Sequence, residues 1–145
     1  MTSTDTLRLS SLVRDALLDH AVEGADRDPP EEVCGVLVGG RAPDRATATR
    51  RVPNVADHPR SRYELDPEAT MAAVDAVEAD GDEVVGFYHS HPESAPVPSA
   101  TDRARATWTG YVYAIVSPPD AIRAYRYTGD GFDELAVQVE DDSRA

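Results

Sequence analysis

From His89 to Asp102, fourteen residues hold two imidazoles, a serine hydroxyl and a carboxylate. This stretch constrains the fold more than any other. A short apolar, β-rich run, Glu83 to Tyr88, leads into His89-Ser90-His91-Pro92, so the two histidines sit at i and i+2 at or just past the end of a strand and point the same way. Pro92, Pro96 and Pro98 break regular structure after them. Ser99, an N-cap residue type, opens a helix predicted from Ser99 to Trp108, with Asp102 in its first turn. A strand end and a helix start, joined by a proline-stiffened loop, thus converge on one point. Two histidines and one aspartate with an open fourth position form the ligand set of a catalytic zinc site.

The rest of the composition narrows the alternatives. The chain has 145 residues, enough for one domain with a real core, expected over residues 1–140 with a disordered tail at 141–145. No apolar run reaches membrane-span length and the first ten residues lack a basic, then apolar, leader pattern, so a cytoplasmic protein is expected. The single cysteine, Cys34, excludes an intramolecular disulfide and every zinc site built on paired cysteines. Acidic residues number 27 against 14 basic ones, all of them arginine, for a net charge of −13. That balance argues against nucleic acid and anionic membranes as partners. A dense acidic surface without lysine reads as adaptation to a halophilic cytoplasm.

Along the chain, Thr6 to Leu9 reads as a short strand. Ser10 or Ser11 then caps a helix to about Gly24 whose stripe is Val13, Ala16, Leu17, His20 and Ala21. His20 has no partner at ligand spacing and reads as a packing residue. Glu31 and Glu32 enter a strand over Val33 to Gly39. Period two groups Glu32 with Cys34, Val36 and Val38, and Glu31 with Val33, Gly35 and Leu37. A hairpin turn and a returning strand, Ala46 to Asn54, follow. Asn54 to Leu65, with His58, Pro59 and Tyr63, reads as a loop and a short extended piece. Between Arg41 and Arg62 lie six arginines and two aspartates, a local excess of positive charge, and Arg50, Arg51, Arg60 and Arg62 are candidates for docking an acidic partner. Asp66-Pro67-Glu68 starts a helix expected to bury Met71, Val74 and Val77. Strands are expected at Gly110 to Ser117, Ala121 to Thr128 and Glu134 to Glu140.

The spacing H-x-H-x7-S-x2-D formed by His89, His91, Ser99 and Asp102 resembles the signature of the JAMM (MPN+) metalloproteases. That family also carries an upstream glutamate three residues before a glycine, in a pattern like E-x-x-G-x-L-x-G, and Glu32 to Gly39 matches it. The resemblance covers roughly Pro30 to Trp108 by motif. It selects Glu32 over Glu31, and implies an α/β fold with a mixed, curved β-sheet flanked by helices in the cytidine-deaminase-like α/β/α arrangement.

The resemblance further implies one Zn2+ per chain held by His89, His91 and Asp102, with Glu32 as general base and Ser99 helping to stabilise the oxyanion. The implied partners are ubiquitin-like protein conjugates. One expected reaction is isopeptide hydrolysis after a ubiquitin-like (SAMP-type) modifier's C-terminal diglycine, which would make the protein an archaeal, desampylase-like or deubiquitinase-like hydrolase that frees the modifier from a target lysine. A second is a linear cut that exposes the diglycine tail of a sulfur-carrier protein. A third reading keeps the domain as a non-catalytic MPN scaffold in a proteasome-like assembly. Oligomeric state has no signal in the chain.

Overall fold

The structure is a computed structural model, and residues 5–141 are described here. The expected tail lies outside the described residues from position 142 onward. The elements run β1 (Thr6–Ser10), α1 (Ser11–Ala25), β2 (Cys34–Gly40), β3 (Arg45–Val52), α2 (Pro67–Ala79), β4 (Glu83–Ser90), α3 (Ala100–Arg105), β5 (Val112–Ser117), β6 (Ala121–Tyr127) and β7 (Phe132–Glu140).

Seven strands form one mixed sheet in the order β1-β3-β2-β4-β5-β6-β7, which closes into a barrel because β1 pairs in parallel with both β3 and β7. The expected curved sheet therefore bends far enough to lose its edges. Its two faces carry separate cores. Val13, Leu17 and Ala21 of α1 pack with Leu7, Leu9, Leu37, Val85 and Tyr88 on one face. On the other, Ala73, Val74 and Val77 of α2 pack with Val36, Val38, Val84 and Phe87. Neighbours such as Val36 and Leu37 thus bury opposite sides, as the pleat dictates.

Local chemistry sets the helix starts. The Ser10 hydroxyl accepts the Val13 N–H at 3.1 Å and opens α1. Pro67 and Glu68 occupy the first turn of α2. Met71, expected to be buried, is instead 55% exposed. The buried positions are Thr70, Ala73, Val74 and Val77, the i, i+3, i+4, i+7 set of a 3.6-residue period, and Met71 lies to one side of it. The third helix ends at Arg105, short of the expected Trp108, because the Thr107 and Trp108 N–H groups turn to donate to the Tyr113 hydroxyl at 3.3 and 3.0 Å.

Strand β4 carries a feature on which the site depends. Leu37 pairs with Gly86 and Val38 with Val84, so β4 holds one extra residue, Val85, between them. Val84 and Phe87 consequently share the α2 face although three residues apart, while Val85 and Tyr88 share the α1 face. Gly86 is required next to this bulge, since a Cβ there would overlap the Val112 backbone of the parallel neighbour.

Candidate metal centre

The bulge places His89 in phase with Phe87, on the α2 side, and β2 delivers Glu32 to the same side. Cys34 is the cross-strand partner of His89, and Glu32 lies two residues before it. Ser90, between the two histidines, is fully buried and clamps β4 to the approach to β2. Its hydroxyl accepts the Val33 N–H at 2.9 Å, while its own N–H donates to the Val33 carbonyl at 2.9 Å. Backbone extension continues past the strand, where the His91 N–H donates to the Val116 carbonyl at 2.9 Å.

Asp102 arrives on α3. The Ser99 hydroxyl accepts the Asp102 N–H at 3.0 Å and Asp102 Oδ2 accepts the Ser99 N–H at 2.9 Å, a reciprocal capping box. The same Oδ2 lies 3.1 Å from His89 Nε2 and 3.1 Å from His91 Nε2, and the two Nε2 atoms are 3.3 Å apart. Glu32, His89, His91 and Asp102 are all buried, and one ligand atom from each lies within 4.8 Å of the others. Such a group can hold a metal ion. Two nitrogens and a carboxylate oxygen at nearly equal spacing fit a shared cation better than mutual hydrogen bonds, which two imidazole nitrogens this close cannot all satisfy.

The electrostatics agree with that use. Burial works against ionisation of Asp102, but the hydrogen bonds to His89 and His91 outweigh it and hold the carboxyl below its ordinary range. Burial lowers His89, favouring the neutral ring, while the nearby Asp102 opposes it. Burial pushes Glu32 up to about 7, with the His91 charge opposing and Asp102 adding. Glu32 Oε1 is buried with no hydrogen-bond partner, so an uncompensated acceptor faces the cluster. Glu31, by contrast, pairs with Arg27 at 2.9 Å on the surface.

Sequence reasoning named the three ligand candidates and Glu32 but missed the groups that fix them. The ring of Tyr63 stacks on His89 with centroids 4.1 Å apart and planes 17° from parallel. His91 Nδ1 sits 2.8 Å from the Ala95 carbonyl, so Nδ1–H donates there and Nε2 keeps its lone pair. Asn54 uses its whole amide. Nδ2 donates to the carbonyls of Glu32 and Arg62 at 2.9 and 3.1 Å, and Oδ1 accepts the N–H groups of Ala56 and Glu64 at 3.0 and 2.9 Å. The Glu32 N–H in turn donates to the Pro59 carbonyl at 2.7 Å. The loop signal of Asn54 was legible; which carbonyls it would meet was not.

His20 is buried as expected, yet not simply packed: its Nδ1 lies 2.7 Å from the Tyr88 hydroxyl. Cys34 is a fully buried core residue whose thiol donates to the Val52 carbonyl at 3.4 Å, and burial pushes that thiol up to about 12. His58 is an exposed loop residue.

The four arginines do not form one patch. Arg51 makes a two-pronged contact with Glu23 of α1 at 2.9 and 2.7 Å, whereas Arg50 faces Asp80 at the end of α2 at 3.9 Å, so adjacent residues point to opposite sides of β3. Arg60 reaches Glu93 at 3.9 Å, between the two loops that flank the cluster. Arg62 makes no ion pair among the described residues, and its Nε is buried without a partner. Beside the cluster opens a cleft of about 480 Å3, lined by Tyr63, Leu65, Met71, Phe87, Trp108 and Tyr113 among others.

The family profile for prokaryotic homologues of the JAB domain matches residues 14–128. A protein of Haloferax volcanii named desampylase is 57% identical over 97% of this chain and 100% of its own length. A CysO-cysteine peptidase of Mycobacterium tuberculosis is 36% identical, covering 88% of this chain and 90% of that protein. The solution structure of a protein from Desulfitobacterium hafniense superposes with a TM-score of 0.83 at 27% identity, over 94% of both chains. By sequence match, fold and the arrangement of its polar cluster, the chain belongs to the prokaryotic JAB family, within the JAMM-type proteins that its motifs resemble.

Proposed function

We propose that this protein is a zinc-dependent isopeptidase that releases a ubiquitin-like modifier from target lysines by hydrolysis after the modifier's C-terminal diglycine. The observation that carries the reading is the triangle of His89 Nε2, His91 Nε2 and Asp102 Oδ2, with edges of 3.1 to 3.3 Å. Tetrahedral zinc with bonds of about 2.0–2.1 Å needs ligand atoms about 3.3 Å apart. The 57% identity to a protein named desampylase supports the substrate class.

His89, His91 and Asp102 would hold the ion. When bound, zinc supplies Lewis acidity that makes water a competent nucleophile near neutral pH. Glu32 does the proton work at Oε1: it takes a proton from the attacking water and returns one to the departing lysine amine. Its elevated affinity for protons suits that exchange. The Ser99 hydroxyl accepts the Asp102 N–H, which leaves its own proton free to donate toward the carbonyl oxygen as negative charge develops there. The apolar cleft beside Tyr63 is a surface on which the substrate can lie. Of the four candidate arginines, Arg60 and Arg62 lie in the loop next to the cluster, which supports assigning to them the docking of an acidic modifier.

A second reading, a cut in or at the end of a carrier protein, is favoured by the 36% identity to a CysO-cysteine peptidase. Both reactions present the same diglycine carbonyl to the same residues. The discriminating assay offers a lysine-branched conjugate and a linear fusion of a ubiquitin-like protein in molar salt, with and without a zinc chelator. Chelator-sensitive release of the branched conjugate is expected. Release of the linear fusion alone moves the protein to carrier maturation, and cleavage of neither by a folded, zinc-loaded protein removes the enzymatic reading.

A further inference from the structure

The two imidazoles of the cluster are fixed by different means. His91 is anchored through its second nitrogen, 2.8 Å from the Ala95 carbonyl, which sets both the ring plane and the tautomer. His89 lacks such an anchor, because its Nδ1 is buried with no hydrogen-bond partner. No hydrogen bond at a second atom therefore fixes its tilt about χ2, whose torsional profile is broad, and packing must do so. Tilting would carry Nε2 away from Asp102 and His91.

Of the two ring contacts His89 makes among the described residues, the one with His91 is tilted by 58° at 5.1 Å, and the stack on Tyr63 is the closer and flatter. The Tyr63 ring lies 4.1 Å from the His89 ring and within 17° of parallel, so any substantial tilt drives ring atoms into the tyrosine face. Tyr63 is itself held from both sides. The preceding residue, Arg62, gives its carbonyl to Asn54 Nδ2, and the following residue, Glu64, gives its N–H to Asn54 Oδ1. Leu65 then pairs with Asn54 in an isolated bridge.

We propose that Tyr63 is a positioning residue for the metal centre: its flat face, stacked on His89, supplies the orientation that a hydrogen bond supplies for His91. The inference rests on the metal-binding reading of the cluster. It requires a planar ring at position 63 and makes no use of the hydroxyl, so it separates Tyr63→Phe, which keeps the plane, from Tyr63→Leu, which keeps apolar bulk alone.

The test measures zinc affinity by competition with a chromophoric chelator, the visible spectrum of the cobalt-substituted protein, and melting of the metal-free protein. Tyr63→Phe is expected to bind zinc within about twofold of the parent and to keep its cobalt spectrum. Tyr63→Leu is expected to bind about fivefold to tenfold more weakly and to change the cobalt bands, with the metal-free fold retained. Parental affinity and spectrum in Tyr63→Leu overturn the inference. Equal losses in both variants also overturn it, since the hydroxyl would then be responsible. Should Tyr63→Leu fail to fold, Tyr63→Met makes the same comparison. A parent protein that binds neither zinc nor cobalt overturns the metal-centre reading itself, a separate result.

Discussion

The pair of His20 and Tyr88 predicts a specific pH dependence of stability. Tyr88 is 2% exposed and its hydroxyl lies 2.7 Å from His20 Nδ1. Burial pushes the Tyr88 phenol well above its ordinary range, so it stays protonated and donates. Burial, reinforced by the Arg51 charge, lowers His20 from 6.5 to about 4, so at neutral pH the imidazole is an uncharged acceptor. The sign follows from where the proton goes. The unfolded chain protonates His20 near 6.5 while the folded chain resists until about 4. Stability from this group is therefore complete above pH 6.5, falls as pH drops toward 4, and changes no further below that. The two values span about 3 kcal/mol by linkage, which water and salt near the surface of α1 reduce to about 1–2 kcal/mol. Urea unfolding of the parent and of His20→Phe, at fixed salt from pH 7.5 to 4, isolates the effect, since acid sensitivity common to both cancels in the difference. The parent is expected to lose about 1–2 kcal/mol more than His20→Phe across that window. Parallel stability curves for the two proteins would refute the reasoning. Tyr88→Phe leaves His20 Nδ1 buried without a donor, and at pH 7.5 a loss of about 1–3 kcal/mol is expected.

The remaining predictions concern the site and its supports. Glu32→Gln is expected to retain zinc and lose about 100- to 10,000-fold in turnover, whereas His89→Ala loses both, as metal analysis and single-turnover kinetics will show. Asn54→Ala leaves two carbonyls and two N–H groups without their partner. A loss of about 2–3 kcal/mol in denaturant unfolding is expected, with early proteolysis in the loop from 55 to 64. In Gly35→Ala the new methyl would sit 2.5 Å from the Arg50 carbonyl and 2.4 Å from the edge of the Tyr88 ring, so about 1–3 kcal/mol of overpacking is expected in thermal unfolding. Arg62→Glu should raise KM for an acidic conjugate with zinc content unchanged; an unaltered KM assigns docking elsewhere.

Much of the site was legible because its rules are local. Alternation along a strand sets His89 and His91 on one side, an N-cap serine three residues before an acid sets Asp102 in a first turn, and Glu32 enters a strand with a fixed phase. These depend on neighbours within a few residues, so His89, His91 and Asp102 could be named from local rules, and Glu32 from the family pattern it fits, before any fold was known; the four meet in the structure. The face they share was decided at longer range. Strict alternation from Val84 would have turned both histidines toward α1; the extra residue at Val85, accommodated by pairing with β2, turns them toward α2 and the cleft.

Tertiary structure likewise decided that Met71 is exposed, that Arg50 and Arg51 part to opposite sides of β3, and that the sheet closes through β1. The Tyr63 ring reached His89 only because Asn54 folds the intervening loop back. Local sequence determines which chemical groups a segment offers and their phase along it. Which groups meet depends on strand register and loop closure, free energies set by contacts tens of residues apart that no single window of the chain contains.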